Sequence, residues 1–548
     1  MRLMKMILMT GVLLVMGAAA STAAVSVAPS AGAGVCGAES VQDSPEANAP
    51  AADGIDGRLQ TIVKEAVRIF QGDEAPVWPG YDLARQPFLV YRPDRWALLV
   101  NPEGPAEGFG PLPDGWTSPG TKALFHSGKY GDLAGQLVFD LPAGEARVAA
   151  VGIPDGLFEQ DTLHGLPVDT ALLAYIVHEN FHKYQNAAFG EIPWAREERY
   201  PLTDVESAAL AALELHVLKD ILTAVDNHDR ATGRELARRF AAVRIERWTR
   251  AGDWLGRFEQ GLEVKEGSAK YVEVQCVARV RPSIAPTTAG DPVPSPSLGG
   301  LPAVEQVRRN VVQLLAEDAL SPEDLPRNRV YPLGGGLGLL LDELGVAWKK
   351  ELETDCATFA FHRQLARHYG WSATELAAVL PETMERYDHA ALRTKAAERL
   401  AAYGREYVTA MAEFNAQPGW RLVLAVSSNG VSRSRVSTAR KWLMDSGTKS
   451  LCRHYRVYSL KTKNWQFQLK DSALFEENDW DARRKQVTVV MPGPPNITLD
   501  SRPAVPETPE SSAFQNLVVT ADNRERVLKQ AGQIRVHASG KEWRIMLE

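Results

Sequence analysis

The chain has 548 residues, more than one compact hydrophobic core usually organises, so two or three structural units are expected. Its composition is that of a globular protein, with 45% hydrophobic and 24% charged residues. The formal net charge of -7 is spread along the chain and offers no basic face to phosphate, which argues against a nucleic-acid-binding protein.

Residues 1–24 have the features of a secretory signal peptide. Arg2 and Lys5 precede the apolar run Met6–Met16, and small residues fill the remainder. This order is typical of a cleaved leader, and the apolar run is too short to span a bilayer comfortably. We therefore expect a secreted or periplasmic protein without an integral membrane segment, with a flexible mature N-terminus over residues 25–54.

The cysteines are far apart in the sequence and form no C-x-x-C pair, which argues against a thiolate zinc site. They are Cys36, Cys276, Cys356 and Cys452. In an oxidising compartment Cys276 and Cys356 could form a disulfide, although the sequence leaves the pairing open.

The segment 55–165 is predicted to be a mixed α/β unit. A helix is expected over Gly57–Phe70, followed by short strands and Gly/Pro-rich loops. The runs with the length and flanking turns of antiparallel strands are Phe88–Tyr91, Trp96–Val100, Leu137–Leu141 and Ala146–Val151.

Helices dominate the segment 166–418. The first is expected to be capped by Asp169 or Thr170. Further helices are predicted at Leu202–Ala224, from Arg230 onward, and at Trp254–Val280, Val304–Glu317, Leu337–Glu351, Ala357–His368, Ala373–Leu380 and Met384–Phe414. A Pro/Gly/Ser-rich stretch at 281–302 predicts a surface loop. Short β-like runs separated by turns predict a mostly β C-terminal unit over 419–548.

The run His178-Glu179-Asn180-Phe181-His182 matches the zinc-binding pattern H-E-x-x-H. On a helix both histidines lie on one face, one turn apart, so each offers a nitrogen to one tetrahedral zinc ion. Glu179 is placed to accept a proton from a metal-bound water as that water attacks a carbonyl. An apolar stripe of Leu173, Val177 and Phe181 predicts that the helix is buried. The alternative is an ordinary surface helix with two histidines and a solvated glutamate.

A catalytic zinc site needs a third protein ligand and an open fourth position. Glu266 is the first candidate, because it lies on an apolar helix face and a buried carboxylate must be paired or bound to metal. The apolar residues of that face are Leu255, Phe258, Leu262 and Ala269. The other explanation of Glu266 is an ion pair with an arginine such as Arg257 or Arg279.

Two other carboxylates are rivals for the third position. Glu206 is nearer to the histidines in sequence, but the helix dipole also favours an acidic residue in a first helical turn, and we prefer that explanation. Glu214 is a weaker candidate, and His216 on the same helix is expected to be packed or exposed rather than a ligand.

Together with H-E-N-F-H, the run Lys265-Glu266-Gly267-Ser268-Ala269-Lys270-Tyr271 resembles the gluzincin metallopeptidases, in particular their aminopeptidase N-like branch. The third zinc ligand of that branch lies in an N-E-G-x-A-x-Y motif. Lys265 replaces the asparagine, whereas Glu266, Gly267, Ala269 and Tyr271 match. The resemblance implies a zincin-like core with Glu266 as the third zinc ligand.

A third element is similar to the same branch. The run Tyr331-Pro332-Leu333-Gly334-Gly335 resembles its Y-x-x-G-A helix start, whose tyrosine stabilises the oxyanion. The resemblance implies that role for Tyr331; the alternative is a tyrosine packed at a helix N-terminus. The chain departs from the branch in two respects. Two extra helices separate His182 from Glu266, and no G-x-M-E-N segment precedes the zinc helix, so aminopeptidase activity is not implied.

The sequence therefore predicts an α+β protein with a zincin-like catalytic core, an N-terminal mixed α/β unit, a large helical region and a mostly β C-terminal unit. We expect one Zn2+ ion at His178, His182 and Glu266, with Glu179 and Tyr331 as catalytic residues and peptides or proteins as substrates. A non-catalytic zinc-containing envelope or binding protein of the same fold is the alternative. A zinc hydrolase acting on another amide or ester is a third, weaker option.

Overall fold

The computed structural model describes residues 54–547 apart from 72–75, 93–94, 117, 131–137, 144–145, 164, 194–196, 198–199, 283–297, 316–319, 428–431, 438–439, 446–447, 462–465, 492–495, 500–501, 504–511, 522–523 and 540–541. The predicted signal peptide, the N-terminus up to residue 53 and Cys36 lie outside the described residues. Helices and sheets are both present, as the α+β prediction expects. Within the described ranges no helix has the length and hydropathy that crossing a membrane requires.

The predicted strands of the first segment form two antiparallel hairpins. β1 (Phe88–Arg92) pairs with β2 (Trp96–Val100), and β4 (Val138–Ala143) pairs with β5 (Ala146–Gly152). β3 (Ala123–Ser127) extends the sheet beyond β2. A parallel pairing of β1 with β5, which the sequence analysis did not predict, joins the hairpins into the order β3-β2-β1-β5-β4.

Side chains of β1 alternate between the two faces of the sheet, as strand geometry requires. Phe88 and Val90 belong to the main core together with residues of the flanking helices, whereas Leu89 and Tyr91 pack on the other face. The main core contains residues of both the 55–165 and the 166–418 segments. The division of the chain into separate units stays a prediction.

The helices lie where the sequence predicts them, although their ends shift. Residues 344–348 divide the predicted helix Leu337–Glu351, and a π-helical segment interrupts the predicted helix Trp254–Val280. In chain order they are α1 (Gly54–Arg68), α2 (Val168–Ala188), α3 (Val205–Asp226), α4 (Arg230–Ala251), α5 (Asp253–Leu262), α6 (Ser268–Ala278), α7 (Ala303–Leu314), α8 (Val330–Glu343), α9 (Lys349–Thr354), α10 (Phe361–Tyr369), α11 (Ala373–Arg386) and α12 (His389–Ala416). A short hairpin of β6 (Thr162–Leu163) and β7 (Leu166–Pro167) leads into α2.

The predicted cap of α2 is wrong. The helix begins at Val168, after Pro167, so Asp169 and Thr170 lie within its first turn. Asp169 instead accepts hydrogen bonds from the Arg58 guanidinium through both carboxylate oxygens, at 2.9 and 3.0 Å. Because the Asp169 side chain is fully buried, this ion pair fixes the start of α2 against α1.

A π-helical segment, Glu263–Gly267, separates α5 from α6 within the predicted helix Trp254–Val280. Glu266 lies in this segment. A π turn widens the helix locally and changes which face the following residues occupy, and such turns occur frequently at functional sites.

The start of α8 also differs from the prediction. The helix begins at Val330 rather than Leu337, so the glycine-rich run before Leu337 lies inside the helix. A Cβ added to Gly334 would lie 2.3 Å from the Cα of Gly267, a separation that no side chain tolerates. The glycines therefore allow the backbone of α8 to contact the π-helical segment, and this contact brings Glu266 and Tyr331 into the same region.

Substitution of Gly334 by Ala is expected to destabilise the protein by about 1–3 kcal/mol, because the two backbones must move apart. Gly404 is the control, since a Cβ added there meets nothing within 4 Å and Gly404→Ala should stabilise α12 by about 0.5–1 kcal/mol. Chemical denaturation measures both effects. Equal stability of Gly334→Ala and the wild type would contradict the close backbone contact.

Beyond α12 the described chain consists of strands, in the segment for which a β-rich unit is predicted. They are β8 (Trp420–Ser427), β9 (Ser432–Ser437), β10 (Lys441–Met444), β11 (Lys449–Lys461), β12 (Gln466–Asp479), β13 (Arg484–Met491), β14 (Asn496–Leu499), β15 (Arg502–Pro503), β16 (Ser512–Ala521), β17 (Arg524–Ser539) and β18 (Glu542–Leu547). All belong to one sheet, in which β8 and β18 pair in parallel. The end of α12 packs on it through Phe414, which shares a cluster with Trp442 and Leu451.

The cysteines do not form the suggested disulfide. Cys276 and Cys356 are both buried free thiols, and Cys452 is buried as well.

Candidate metal centre

The H-E-x-x-H run lies in the middle of a buried helix. Leu173, Val177 and Phe181 are each fully buried, which confirms the predicted apolar stripe of α2. His178 is 1% exposed, and the ring centroids of His178 and His182 are 4.8 Å apart. The alternative of two histidines on a surface helix is therefore wrong.

Glu266 joins the two histidines. Its Oε2 atom lies 3.5 Å from His178 Nε2 and 3.2 Å from His182 Nε2. The three ligand atoms lie within 4.8 Å of one another, so the group can hold a metal ion.

Two of these atoms are buried without a hydrogen-bond partner among the described residues, namely His178 Nε2 and Glu266 Oε2. Buried polar atoms are nearly always satisfied, so this pair needs an explanation. A cation at the centre of the group would satisfy both, and two imidazole nitrogens with one carboxylate oxygen form a donor set typical of catalytic zinc. The residues present therefore fit a bound metal.

The expected arginine partner of Glu266 exists, but it is neither Arg257 nor Arg279. Arg327 donates a hydrogen bond to Glu266 Oε1 at 2.8 Å. Both explanations of Glu266 therefore apply at once, because one oxygen faces the arginine and the other faces the histidines.

The rival carboxylates have other partners. Glu206 forms ion pairs with Arg393 at 3.2 Å and with His389 at 3.4 Å. Glu214 is buried against Arg244 at 2.7 Å. Neither belongs to the metal-binding group found in the described part of the chain, and His216 does not belong to it either.

The far nitrogen of each histidine is held by a second side chain. His178 Nδ1 lies 3.0 Å from Glu273 Oε2, and His182 Nδ1 lies 2.6 Å from Gln185 Oε1. Partners of this kind accept the Nδ1–H and so direct Nε2 towards the metal.

Gln185 also ties α2 to the segment that carries Glu266. Its Nε2 donates hydrogen bonds to the Lys265 carbonyl and to Ser268 Oγ, each at 2.8 Å. A single amide thus orients one ligand and fixes its distance from another.

The electrostatics of the group favour a cation. Burial lowers the pKa of His178, but the nearby carboxylates of Glu266 and Glu273 outweigh burial and raise this pKa to about 10. Burial raises the pKa of Glu266, yet His182 and Arg327 hold it well below its usual range. A metal ion would take the place of the protons that the surrounding carboxylates otherwise stabilise on the imidazoles.

Glu179 and Tyr331 both lie beside the group. Burial raises the pKa of Glu179, and the charges of His182 and His178 lower it in part. The Tyr331 ring centroid is 5.8 Å from that of His178, and burial raises the pKa of its hydroxyl, which therefore remains a proton donor. The first is suited to accept a proton and the second to donate a hydrogen bond.

Replacing Gln185 by Leu is expected to lower zinc affinity by about 10–100-fold, the usual effect of losing a residue that orients a metal-binding histidine. The matched control is Asn186→Ala, since Asn186 is the next residue of α2 and is exposed. Competition with a fluorescent chelator measures the affinity of both variants. Unchanged affinity in Gln185→Leu would show that this amide does not support the site.

Sequence reasoning found the three ligand candidates but missed Gln185, Glu273 and Arg327. Gln185 follows His182 at helical spacing, which is a usable signal. Glu273 lies 95 residues after His178, and nothing local marks Glu273 or Arg327. Comparison with protein-family models, with curated proteins and with solved structures finds no match to this chain, so the chemistry of the site has to follow from its own residues.

Proposed function

We propose that this chain is an exported zinc metallopeptidase with a zincin-like catalytic core, as its resemblance to the gluzincins implies. The observation that carries the proposal is the convergence of His178, His182 and Glu266 on one buried point, where two of the ligand atoms have no hydrogen-bond partner among the described residues. Export rests on the leader-like pattern of residues 1–24.

The metal ligands would be His178 Nε2, His182 Nε2 and Glu266 Oε2. When bound there, a zinc ion supplies a Lewis acid that polarises a carbonyl and lowers the pKa of a water molecule. Gln185 and Glu273 hold the imidazoles in the orientation that the ligand role requires.

Glu179, Tyr331 and Arg327 would transfer the proton, stabilise developing charge and orient Glu266, respectively. Glu179 takes the proton of the attacking water and later delivers it to the leaving amine. Tyr331 donates a hydrogen bond to the carbonyl oxygen as negative charge develops on it. Arg327 holds the outer oxygen of Glu266 and so leaves only one oxygen of this carboxylate directed at the histidines.

The direct test is peptide hydrolysis before and after removal of metal. The purified protein is incubated with a mixed peptide library, and mass spectrometry identifies the products. A chelator should abolish cleavage, and added Zn2+ but not Mg2+ should restore it, because nitrogen ligands select zinc over magnesium. Cleavage that persists in metal-free protein would contradict the proposal.

The same experiment separates the alternatives. Stoichiometric zinc without cleavage of any peptide would favour a non-catalytic zinc-containing envelope or binding protein. Cleavage of esters or non-peptide amides in place of peptides would assign another zinc hydrolase activity to the same residues.

A further inference from the structure

A cavity of about 240 Å³ adjoins the candidate metal centre. His178 and Tyr331 form part of its wall, so the cavity and the metal centre share residues. The other walls include residues of β5, the β6–β7 hairpin, α2, α6, α7 and α8. A group bound at the metal centre is therefore next to this space.

The cavity offers mainly apolar surface. Its leucine side chains are Leu157, Leu163, Leu166, Leu172, Leu301 and Leu314. An apolar cavity of about 150 Å³ is already large enough for benzene, so this one can hold a leucyl or phenyl side chain.

The charged residues of the wall already have partners. Lys270 Nζ lies 2.5 Å from Glu273, and Arg309 Nε lies 2.9 Å from Glu305. Asp324 accepts hydrogen bonds from Ser321 and Asn328, each at 2.6 Å. A charged side chain would lose its hydration in the cavity and find no free partner of opposite charge among these groups. An apolar side chain has no such desolvation cost.

Tyr175 adds a polar group to the wall of the same cavity. It lies on α2 one turn before Glu179, and its hydroxyl is buried without a hydrogen-bond partner among the described residues. Burial raises the pKa of this hydroxyl, as do the charges of Glu179 and Tyr331, so it remains a hydrogen-bond donor. A buried donor left unpaired is costly unless a ligand accepts from it.

We propose that the cavity binds the large apolar side chain of the substrate residue beside the scissile bond, an inference that rests on the proposed function. The Tyr175 hydroxyl donates a hydrogen bond to the same substrate. The substrate class is thus peptides with an aliphatic or aromatic residue at one position next to the cleaved bond. Residues with charged side chains are excluded from this position.

Cleavage-site profiling with a peptide library tests the preference. The wild type should prefer Leu, Met or Phe over Asp or Lys at one flanking position by at least about tenfold. Ala174→Leu places a larger side chain at the buried cavity wall and should shift the preference to Ala or Gly. Leu314→Ala enlarges the cavity and should shift it towards Trp. Ala187→Leu, at an exposed position of α2, is the matched control and should change nothing.

Tyr175→Phe tests the hydroxyl separately. Because the hydroxyl has no partner among the described residues, its removal should leave thermal stability unchanged or slightly higher, while kcat/KM falls by about tenfold or more. A loss of stability with unchanged kcat/KM would assign Tyr175 to the fold and not to the substrate.

A binding measurement does not depend on turnover. Calorimetry should show that the wild type binds N-acetyl-leucinamide at least about tenfold more tightly than the corresponding aspartate derivative, and that Ala174→Leu removes the difference. Selective binding of the apolar derivative without hydrolysis would contradict the proposed function but support the assignment of the cavity. If the protein hydrolyses peptides but neither Ala174→Leu nor Leu314→Ala changes its preference, the assignment of the cavity would be wrong and the proposed function would stand.

Discussion

Replacing Glu179 by Gln is expected to reduce peptide hydrolysis by about 10²–10⁴-fold while the protein still binds one zinc ion. The carboxylate is buried beside the two histidines, but it does not belong to the metal-binding group. An amide of the same shape cannot accept the proton of the attacking water, so the chemical step fails although the ligands are intact. Metal analysis and the rate of peptide cleavage, measured on one preparation, separate the two effects.

The control for this variant is Glu191→Gln, which makes the same chemical change at an exposed position shortly after α2. It should cleave peptides at the wild-type rate. If Glu179→Gln also cleaved at that rate with zinc bound, Glu179 would not be the general base and the proposed mechanism would be wrong.

Replacing Glu214 by Ala is expected to cost about 3–5 kcal/mol of stability, the range for breaking a buried ion pair. The carboxylate lies 2.7 Å from Arg244, 2.8 Å from Arg247 and 3.4 Å from Arg329, and all of these side chains are fully buried. Burial raises the pKa of Glu214, but the three arginines outweigh burial and lower it, so the group is a carboxylate in the folded protein. Its removal leaves positive charge buried with fewer partners.

The matched control is Glu235→Ala on α4. Glu235 pairs with Arg239 at 3.2 Å, but its side chain is 46% exposed, so water screens the pair and the loss should stay below about 1 kcal/mol. Urea denaturation measures both variants. A loss for Glu214→Ala no larger than that for Glu235→Ala would show that the buried network contributes little to stability.

The Glu214 network also bears on the site. Arg329 directly precedes α8, and Glu259, a further member of the network, pairs with both Arg247 and Arg329. The helices that carry these residues thereby fix the first turn of α8, where Tyr331 lies. The large buried charge cluster is thus part of the frame that positions the candidate site.

The local features of the site could be predicted from the sequence, because helical spacing alone determines them. His178, Glu179 and His182 needed only a helix, and the apolar stripe of Leu173 and Phe181 predicted its burial. Glu266 was recognisable as a charge on an apolar face, which has few explanations.

The remaining features depend on contacts between distant segments, which no local pattern encodes. Arg327 reaches Glu266 only because α8 packs on the π-helical segment, and this packing relies on the glycines at 267 and 334. Because glycine has a low helix propensity, the sequence placed the start of this helix only at Leu337, although the glycines are needed for a close backbone contact inside the helix. The predicted cap at Asp169 failed for a similar reason, since Arg58 on a different helix binds this carboxylate.

The central claim is that His178, His182 and Glu266 bind one zinc ion. The most direct measurement is a crystal structure of the zinc-loaded protein with data collected at the zinc absorption edge. We expect one ion, about 2.0–2.2 Å from two imidazole nitrogens and one carboxylate oxygen of these residues. An ion bound elsewhere, or no ion between the two histidines at saturating zinc, would contradict the account.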